Sequence, residues 1–179
     1  MNRARTLGHP GFTLVEMAIA LLLLGVLITL ALPGFNTWMA NAQIRSGAAA
    51  LLNGLQLARA EAVRRNDSVE FVLGTKTGWS VNMVASGEQV QTRSENEGSP
   101  NAQVVVLPDG ATRLTFNGFG RVAPNGDSTA PITQIEIRNP SGGSCMAASG
   151  RMHCLQVRIS GGNVRLCDPN YAAGDPRAC

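Results

Sequence analysis

The stretch Gly11-Phe-Thr-Leu-Val-Glu-Met17, followed by the apolar run 18–32, determines how this chain is organised. The segment 12–32 contains 21 residues, and Glu16 is its only charged residue. A helix needs about 20 apolar residues to cross the hydrocarbon core of a bilayer, so this length predicts a membrane span. Two arginines precede the segment, which predicts a cytoplasmic N-terminus and an exported remainder.

A cleaved secretory signal is the alternative interpretation, with Thr29-Leu-Ala31 as a small-residue cleavage site. Two features oppose it. The apolar run exceeds the usual length of about 7–15 residues for the apolar part of a signal. The segment also contains Glu16, and an ionised side chain at the centre of a membrane helix costs about 2.5–3.5 kcal/mol on insertion scales. We therefore predict that the apolar segment is retained in the mature protein.

The sequence Gly11-Phe12-Thr13-Leu14-Val15-Glu16 resembles the processing site of type IV pilins and type II secretion pseudopilins. This resemblance implies that a prepilin peptidase cleaves after Gly11 on the cytoplasmic side and that the new amino group of Phe12 is methylated. It also implies that Glu16 supports filament assembly by pairing with the amino terminus of a neighbouring subunit. Such pairing is physically reasonable, because a buried charge is tolerated when an opposite charge lies beside it.

These signals divide the chain into four parts: a leader (1–11), a transmembrane and assembly helix (12–33), an amphipathic helix (34–66) and a β-rich periplasmic domain (67–179). Pro33 removes a backbone donor and clashes with the preceding turn, which predicts a helix kink there. Localisation is accordingly the inner membrane, single-pass with the C-terminal domain in the periplasm, and later the filament.

The second helical part has one apolar stripe at spacings of three and four residues: Ile44, Ala48, Leu51, Leu55, Ala58 and Ala62. Gly47 and Gly54 weaken this helix by up to about 1 kcal/mol each relative to alanine. The stripe must be covered, and we expect a β-sheet to cover it.

After Asn66 the apolar period changes to two, which is typical of strands. Strands are predicted at 69–73, 79–84, 103–107, 111–116, 132–137, 155–159 and 164–166, with a further short one near Val90. Pro108-Asp-Gly110 predicts a hairpin between 103–107 and 111–116. The fold class is therefore α+β, a long N-terminal helix packed on an antiparallel sheet. Phe116-Asn-Gly-Phe-Gly-Arg121 resembles a recurring segment of the GspH/FimT branch of minor pilins, which implies the pilin fold.

The sequence contains four cysteines, and all of them lie near its C-terminus: Cys145, Cys154, Cys167 and Cys179. The predicted periplasmic location favours disulfides, and four cysteines allow three connectivities. We favour Cys145–Cys154 and Cys167–Cys179, because sequential pairing closes short loops. A zinc site is the competing interpretation. The eight and eleven residues between successive partners do not resemble the close pairs of zinc knuckles.

The residues give no indication of catalysis. His153 is the only histidine after the leader, so a Ser-His-Asp or Cys-His arrangement has little to draw on. The sequence contains no P-loop, dinucleotide fingerprint or metalloprotease motif. We therefore expect neither an enzyme nor a cofactor.

Two functions remain. In the first, the chain is a minor pilin or pseudopilin of a type IV pilus or a type II secretion filament, used in initiation or at the tip. Its partners are then the inner membrane, the assembly machinery and other pilin subunits. In the second, it captures DNA for uptake. DNA-binding members of the family share a Gly-Arg-x-Arg loop. The stretch Gly162-Asn-Val-Arg165 matches it except at Asn163.

The DNA hypothesis assigns phosphate contacts to Arg158, Arg165 and Arg177. The charge of the chain gives it little support. The net charge is +3, and removing the two leader arginines leaves about +1 (3 − 2). The alternative role for these arginines is a solvated position on a strand face or a turn.

Overall fold

The structure is a computed structural model that describes residues 11–142 and 152–179. One helix, α1 (Leu14–Arg65), precedes all the strands. The chain separates into two compact units, the first ending at Phe35 and the second comprising Asn36–Cys179.

Local hydrogen bonds define both ends of α1. At the start, Oγ1 of Thr13 accepts a hydrogen bond from the main-chain N–H of Glu16 at 3.2 Å, which is an N-cap. At the end, Asn66 has φ 50°, and the N–H groups of Asn66 and Asp67 donate to the carbonyls of Val63 and Ala62. This is the Schellman arrangement, with asparagine at the left-handed position. The predicted helix end is therefore confirmed, and the start lies two residues after the predicted one.

The described residues of the first unit form no core of their own. From Gly11 to Phe35, every side chain whose burial is described is exposed. No single helix in the described ranges is long and apolar enough to be a membrane span, whereas Leu14–Leu30 and Gly34–Arg65 together pass that test by length and composition. The helix assignment is continuous through Pro33, and the kink there stays a prediction.

The predicted antiparallel β-sheet domain is confirmed, and in the second unit it consists of two sheets. The described residues form the strands β1 (Val69–Leu73), β2 (Trp79–Met83), β3 (Gln89–Arg93), β4 (Gln103–Leu107), β5 (Arg113–Phe116), β6 (Val122–Ala123), β7 (Gln134–Arg138), β8 (Leu155–Ser160) and β9 (Asn163–Cys167). The first sheet has the order β3-β2-β1-β5-β6 and the second β4-β7-β8-β9. A short 3-10 turn lies at Pro140–Gly142.

The predicted apolar stripe of α1 is buried. All six of its residues have no solvent exposure, and they share one core cluster with residues of both sheets. Burying a leucine or isoleucine side chain contributes about 1.5–3 kcal/mol. The stripe therefore supplies a large part of the energy that holds the second half of α1 on the sheets.

The two helix glycines permit close packing. A Cβ atom at Gly47 would lie 2.8 Å from Cγ2 of Thr77, and one at Gly54 would lie 2.7 Å from Cε2 of Trp79. Real Cβ atoms do not approach other atoms so closely. The low helix propensity of glycine is thus offset by contact with the first sheet.

The hairpin predicted between residues 103–107 and 111–116 is wrong. β4 pairs with β7 in the second sheet, and β5 pairs with β1 in the first. The turn between them carries the chain from one sheet to the other. The main-chain N–H of Leu73 donates to the carbonyl of Thr112, and that of Thr133 donates to the carbonyl of Leu107. A turn signal in the sequence indicates where the chain reverses, but it does not select the strand that pairs.

Candidate functional site

The predicted processing site lies just outside α1. Residues 11–13 are not helical, and the side chain of Phe12 is 78% exposed. No heavy atom lies within 4 Å of the place where Gly11 would carry a Cβ atom. The peptide bond between Gly11 and Phe12 is therefore in accessible, non-helical chain.

Glu16 has a role in the helix that the sequence analysis missed. It occupies the first turn of α1, where a negative charge is favoured by the helix dipole. Its main-chain N–H donates to Thr13, and Thr-x-x-Glu is the sequence pattern of a capping box, which could have identified this position. Among the described residues, none forms a hydrogen bond or ion pair with its carboxylate, which is exposed. The carboxylate thus remains available to a partner.

The C-terminal tail, residues 168–179, is fastened to β9. A disulfide joins Cys167 to Cys179 with a Cα–Cα distance of 5.1 Å, which confirms this predicted pair. Asp168 and Ala178 also form an isolated β-bridge. For the other predicted pair, Cys154 is buried, whereas Cys145 lies outside the described residues.

Two of the arginines assigned to DNA hold this tail. Arg158 and Arg165 are cross-strand partners on β8 and β9. Like charges in that position repel each other. Nη1 of Arg158 donates to the main-chain oxygen of Cys179 at 2.7 Å. Nη2 of Arg165 donates to the carbonyls of Pro176 and Ala178 at 3.0 and 2.7 Å. The main-chain oxygens of the tail therefore offset the repulsion between the two guanidinium groups and accept hydrogen bonds from both of them.

The third arginine is engaged within the tail. The guanidinium of Arg177 lies 3.8 Å from the ring centroid of Tyr171 and forms an ion pair with Asp175 at 3.0 Å. Hydrogen bonds from the side chain and then the main chain of Arg177 lower the pKa of Asp175, and the same carboxylate raises the pKa of Arg177. The structure thus brings the three arginines to one region, where each already has partners in the chain.

A cleft of about 360 Å³ opens beside the tail. Arg45 of α1 lines it together with residues of β8, β9 and the tail. Nδ1 of His153 lies 3.7 Å from Oδ2 of Asp168, and the main-chain N–H of His153 donates to Asn41 of α1. The only cysteine in its lining, Cys167, belongs to the disulfide. Within residues 11–142 and 152–179, no group of three or more His, Cys, Asp or Glu residues could hold a metal ion.

Two family models match the chain. The model described as "Type II transport protein GspH" matches residues 47–162. The chain belongs to the GspH family. The model described as "Prokaryotic N-terminal methylation motif" matches residues 9–32. This GspH-family chain is thus a minor pilin or pseudopilin, a structural subunit of a type IV pilus or a type II secretion filament.

Two solved structures resemble this GspH-family chain in fold. The type IV minor pilin FimU of Pseudomonas aeruginosa strain PAO1 has 20% sequence identity and a TM-score of 0.49, covering 73% of this chain and 92% of that one. The minor pseudopilin EpsH from the type 2 secretion system of Vibrio cholerae has 15% identity and a TM-score of 0.48, covering 73% and 99%. No curated protein matches the chain.

Proposed function

We propose that this GspH-family subunit is cleaved after Gly11, methylated at Phe12 and held in the inner membrane by residues 12–33. The domain after this segment then lies in the periplasm. An assembly machine extracts the subunit, and α1 packs beside the helices of neighbouring subunits. The subunit works at low copy, in initiation or at the tip of the filament. It needs no catalytic step and no cofactor.

One observation carries this proposal: the first half of α1 is exposed and apolar, and it contains a single carboxylate without a partner in the described chain. Large apolar side chains that no part of the chain covers need a bilayer or another protein around them. A carboxylate in such surroundings needs an opposite charge. A neighbouring subunit supplies both: its methylated amino terminus carries the positive charge, and its apolar helix covers the exposed side chains.

The test is incorporation of Glu16 variants into filaments in the native host. We expect Glu16→Ala and Glu16→Gln to enter the membrane normally and to be absent from sheared filaments, since both lack the negative charge. Glu16→Asp retains the charge and should restore part of the incorporation. Normal filaments that contain Glu16→Gln at the wild-type level would refute the proposed role of this carboxylate.

The DNA-uptake alternative is not favoured by the arrangement at the tail. Its three arginines donate to tail oxygens or pair with Asp175, so phosphate binding would have to break these contacts. A gel shift with the full chain in detergent at several salt concentrations tests this alternative. Salt-sensitive binding at micromolar protein that Arg158→Ala weakens would support DNA capture.

A further inference from the structure

A rigid turn between β5 and β6 presents one aromatic side chain to solvent. Oδ1 of Asn117 accepts hydrogen bonds from the main-chain N–H groups of Phe119 and Arg121, each at 3.1 Å. The N–H of Gly120 donates to the carbonyl of Asn117, and the N–H of Asn117 donates to the carbonyl of Arg121. Phe119 is nevertheless 84% exposed, the largest exposure among the described large apolar residues of the second unit.

The turn is also fixed from outside. A Cβ atom at Gly118 would lie 2.6 Å from Oδ1 of Asn66, and one at Gly120 would lie 3.0 Å from Cγ2 of Val63. Both glycines are therefore pressed against the last turn of α1. The β8–β9 turn approaches from another side, since a Cβ atom at Gly162 would overlap the carbonyl oxygen of Gly120. These contacts thus fix the main chain of the turn so that Phe119 lies outside the core.

The residues around the turn that contains Phe119 are apolar and positively charged. Val63, beside Gly120, is 52% exposed. A Cβ atom at Gly120 would also lie 3.1 Å from Nε of Arg59. The guanidinium groups of Arg59 and Arg121 have no hydrogen bond or ion pair in the part of the chain that the structure describes.

In the described part of the chain, neither Glu61 nor Asp67 forms an ion pair with Arg59 or Arg121. Glu61 is paired with Arg64 and Arg65, and Oδ1 of Asp67 accepts the main-chain N–H of Ser68. We call Phe119, Val63, Arg59 and Arg121 the Phe119 knob.

We propose that the Phe119 knob inserts into an apolar pocket with a carboxylate rim on a neighbouring filament subunit. This inference rests on the proposed function and adds the partner surface to it. Aromatic residues and arginine are enriched in protein interfaces and at their energetic centres, where a pre-ordered side chain loses little entropy on binding. The two free guanidinium groups supply the charge that selects an acidic rim.

The position and composition of the knob favour a protein over a membrane or a nucleic acid. Arg59 follows Asn36 by 23 residues along α1, which is about 35 Å of helix. Within the second unit, the knob therefore lies far from Asn36, the residue at which that unit begins. Binding of single-stranded nucleic acid uses several stacking aromatics along a basic groove, whereas the knob offers one ring.

The first experiment is photo-crosslinking in assembled filaments. The full chain, produced in its native host, carries p-benzoylphenylalanine at position 119 or, as a matched control, at the exposed Val105 of β4. We expect position 119 to give a crosslink to one other filament subunit, with the crosslinked peptide of that subunit containing Asp or Glu. Equal crosslinking from position 105, or none from position 119, would overturn the inference.

The second experiment compares variants of the knob. We expect Phe119→Ser, and the double variant Arg59→Glu with Arg121→Glu, to reduce incorporation into filaments about tenfold or more, as for other interface anchors. Val105→Ser should be incorporated at the wild-type level. Protease resistance of Phe119→Ser equal to wild type identifies the loss as a docking defect, because this side chain is outside the core.

The outcomes separate the two proposals. If the wild-type chain is absent from filaments, the proposed function fails. If the wild type is present and both knob variants are incorporated normally, only the docking inference fails. Binding of a fluorescein-labelled single-stranded 20-mer that Phe119→Ser abolishes, with filament incorporation unchanged, would overturn the inference in favour of nucleic acid.

Discussion

Between Leu14 and Leu30, α1 exposes its large apolar side chains, whereas between Ala40 and Ala62 the same helix buries one apolar stripe completely. The two halves share secondary structure and differ in what surrounds them. The second half obtains its partner, the two sheets, from its own chain. The first half has none within the described residues, and we propose that a bilayer and then other subunits cover it.

This comparison shows that helix formation and helix burial are separate properties. The N-cap at Thr13 and the left-handed Asn66 define a helix of 52 residues. Two glycines of the second half allow the sheet side of the unit to pack closely on it. Side chains of the first sheet and of the turn before β2 lie close to the Cβ positions of Gly54 and Gly47. Gly25, in the first half, has no atom within 4 Å of its Cβ position.

The largest expected effect is the loss of leader cleavage in front of the first half of α1. We expect Gly11→Ala to leave the chain unprocessed, because the proposed cleavage follows Gly11 and the added methyl group would occupy the peptidase contact. The measurement is the intact mass of the membrane-extracted protein. Gly25→Ala, the same substitution in the same segment, is the control and should be processed normally. A trimmed Gly11→Ala chain would contradict the assignment.

A pair of leucine substitutions compares the two halves directly. Leu51→Ala removes a side chain with no exposure and should lower the free energy of unfolding by about 2–5 kcal/mol. Leu22→Ala, at a residue 67% exposed, should leave it unchanged. Urea unfolding of the full chain in detergent, followed by near-ultraviolet circular dichroism, measures both. Equal destabilisation by the two variants would remove the distinction between the halves.

The tail of the second unit depends on a covalent bond more than on a core. Cys179→Ser opens a loop with a sequence separation of 12. We expect a loss of about 2–3 kcal/mol in the free energy of unfolding, as for loops of this size. We also expect faster proteolysis between residues 168 and 179, since Arg158 and Arg165 lose their acceptors. Unchanged proteolysis would mean that the arginines hold the tail without the disulfide.

The smallest effect concerns the end of α1. Hydrogen bonds from Arg64 and then Arg65 lower the pKa of Glu61, so its ion pairs stabilise the fold above the pKa of the unfolded chain. That contribution disappears as the pH falls through the lowered value. Thermal unfolding at pH 6 should therefore separate wild type from Glu61→Gln by a small margin, which shrinks below the ordinary glutamate pKa of about 4.3 and closes in stronger acid. A margin that widens in acid would reverse the sign of this linkage.

Several features could be predicted from particular residues. The spacing of Ile44, Ala48 and Leu51 identified the buried face of α1, because a helical period of 3.6 residues requires such spacing. Alternation identified most strands, with bounds within about two residues. The sequence could not predict that Arg158 and Arg165 bind the tail, because their acceptors are main-chain oxygens of a segment that has no periodic pattern.

The sequence by itself determined the apolar segment, the N-terminal methylation motif, the amphipathic half of α1 and the strand-rich remainder, because each follows from local composition and period. Only the tertiary structure decided that β4 and β5 enter different sheets, that the arginines hold the tail and that Phe119 stands outside the core. These depend on contacts between residues distant in sequence, whose partners are selected by packing and hydrogen-bond geometry and leave no local signal.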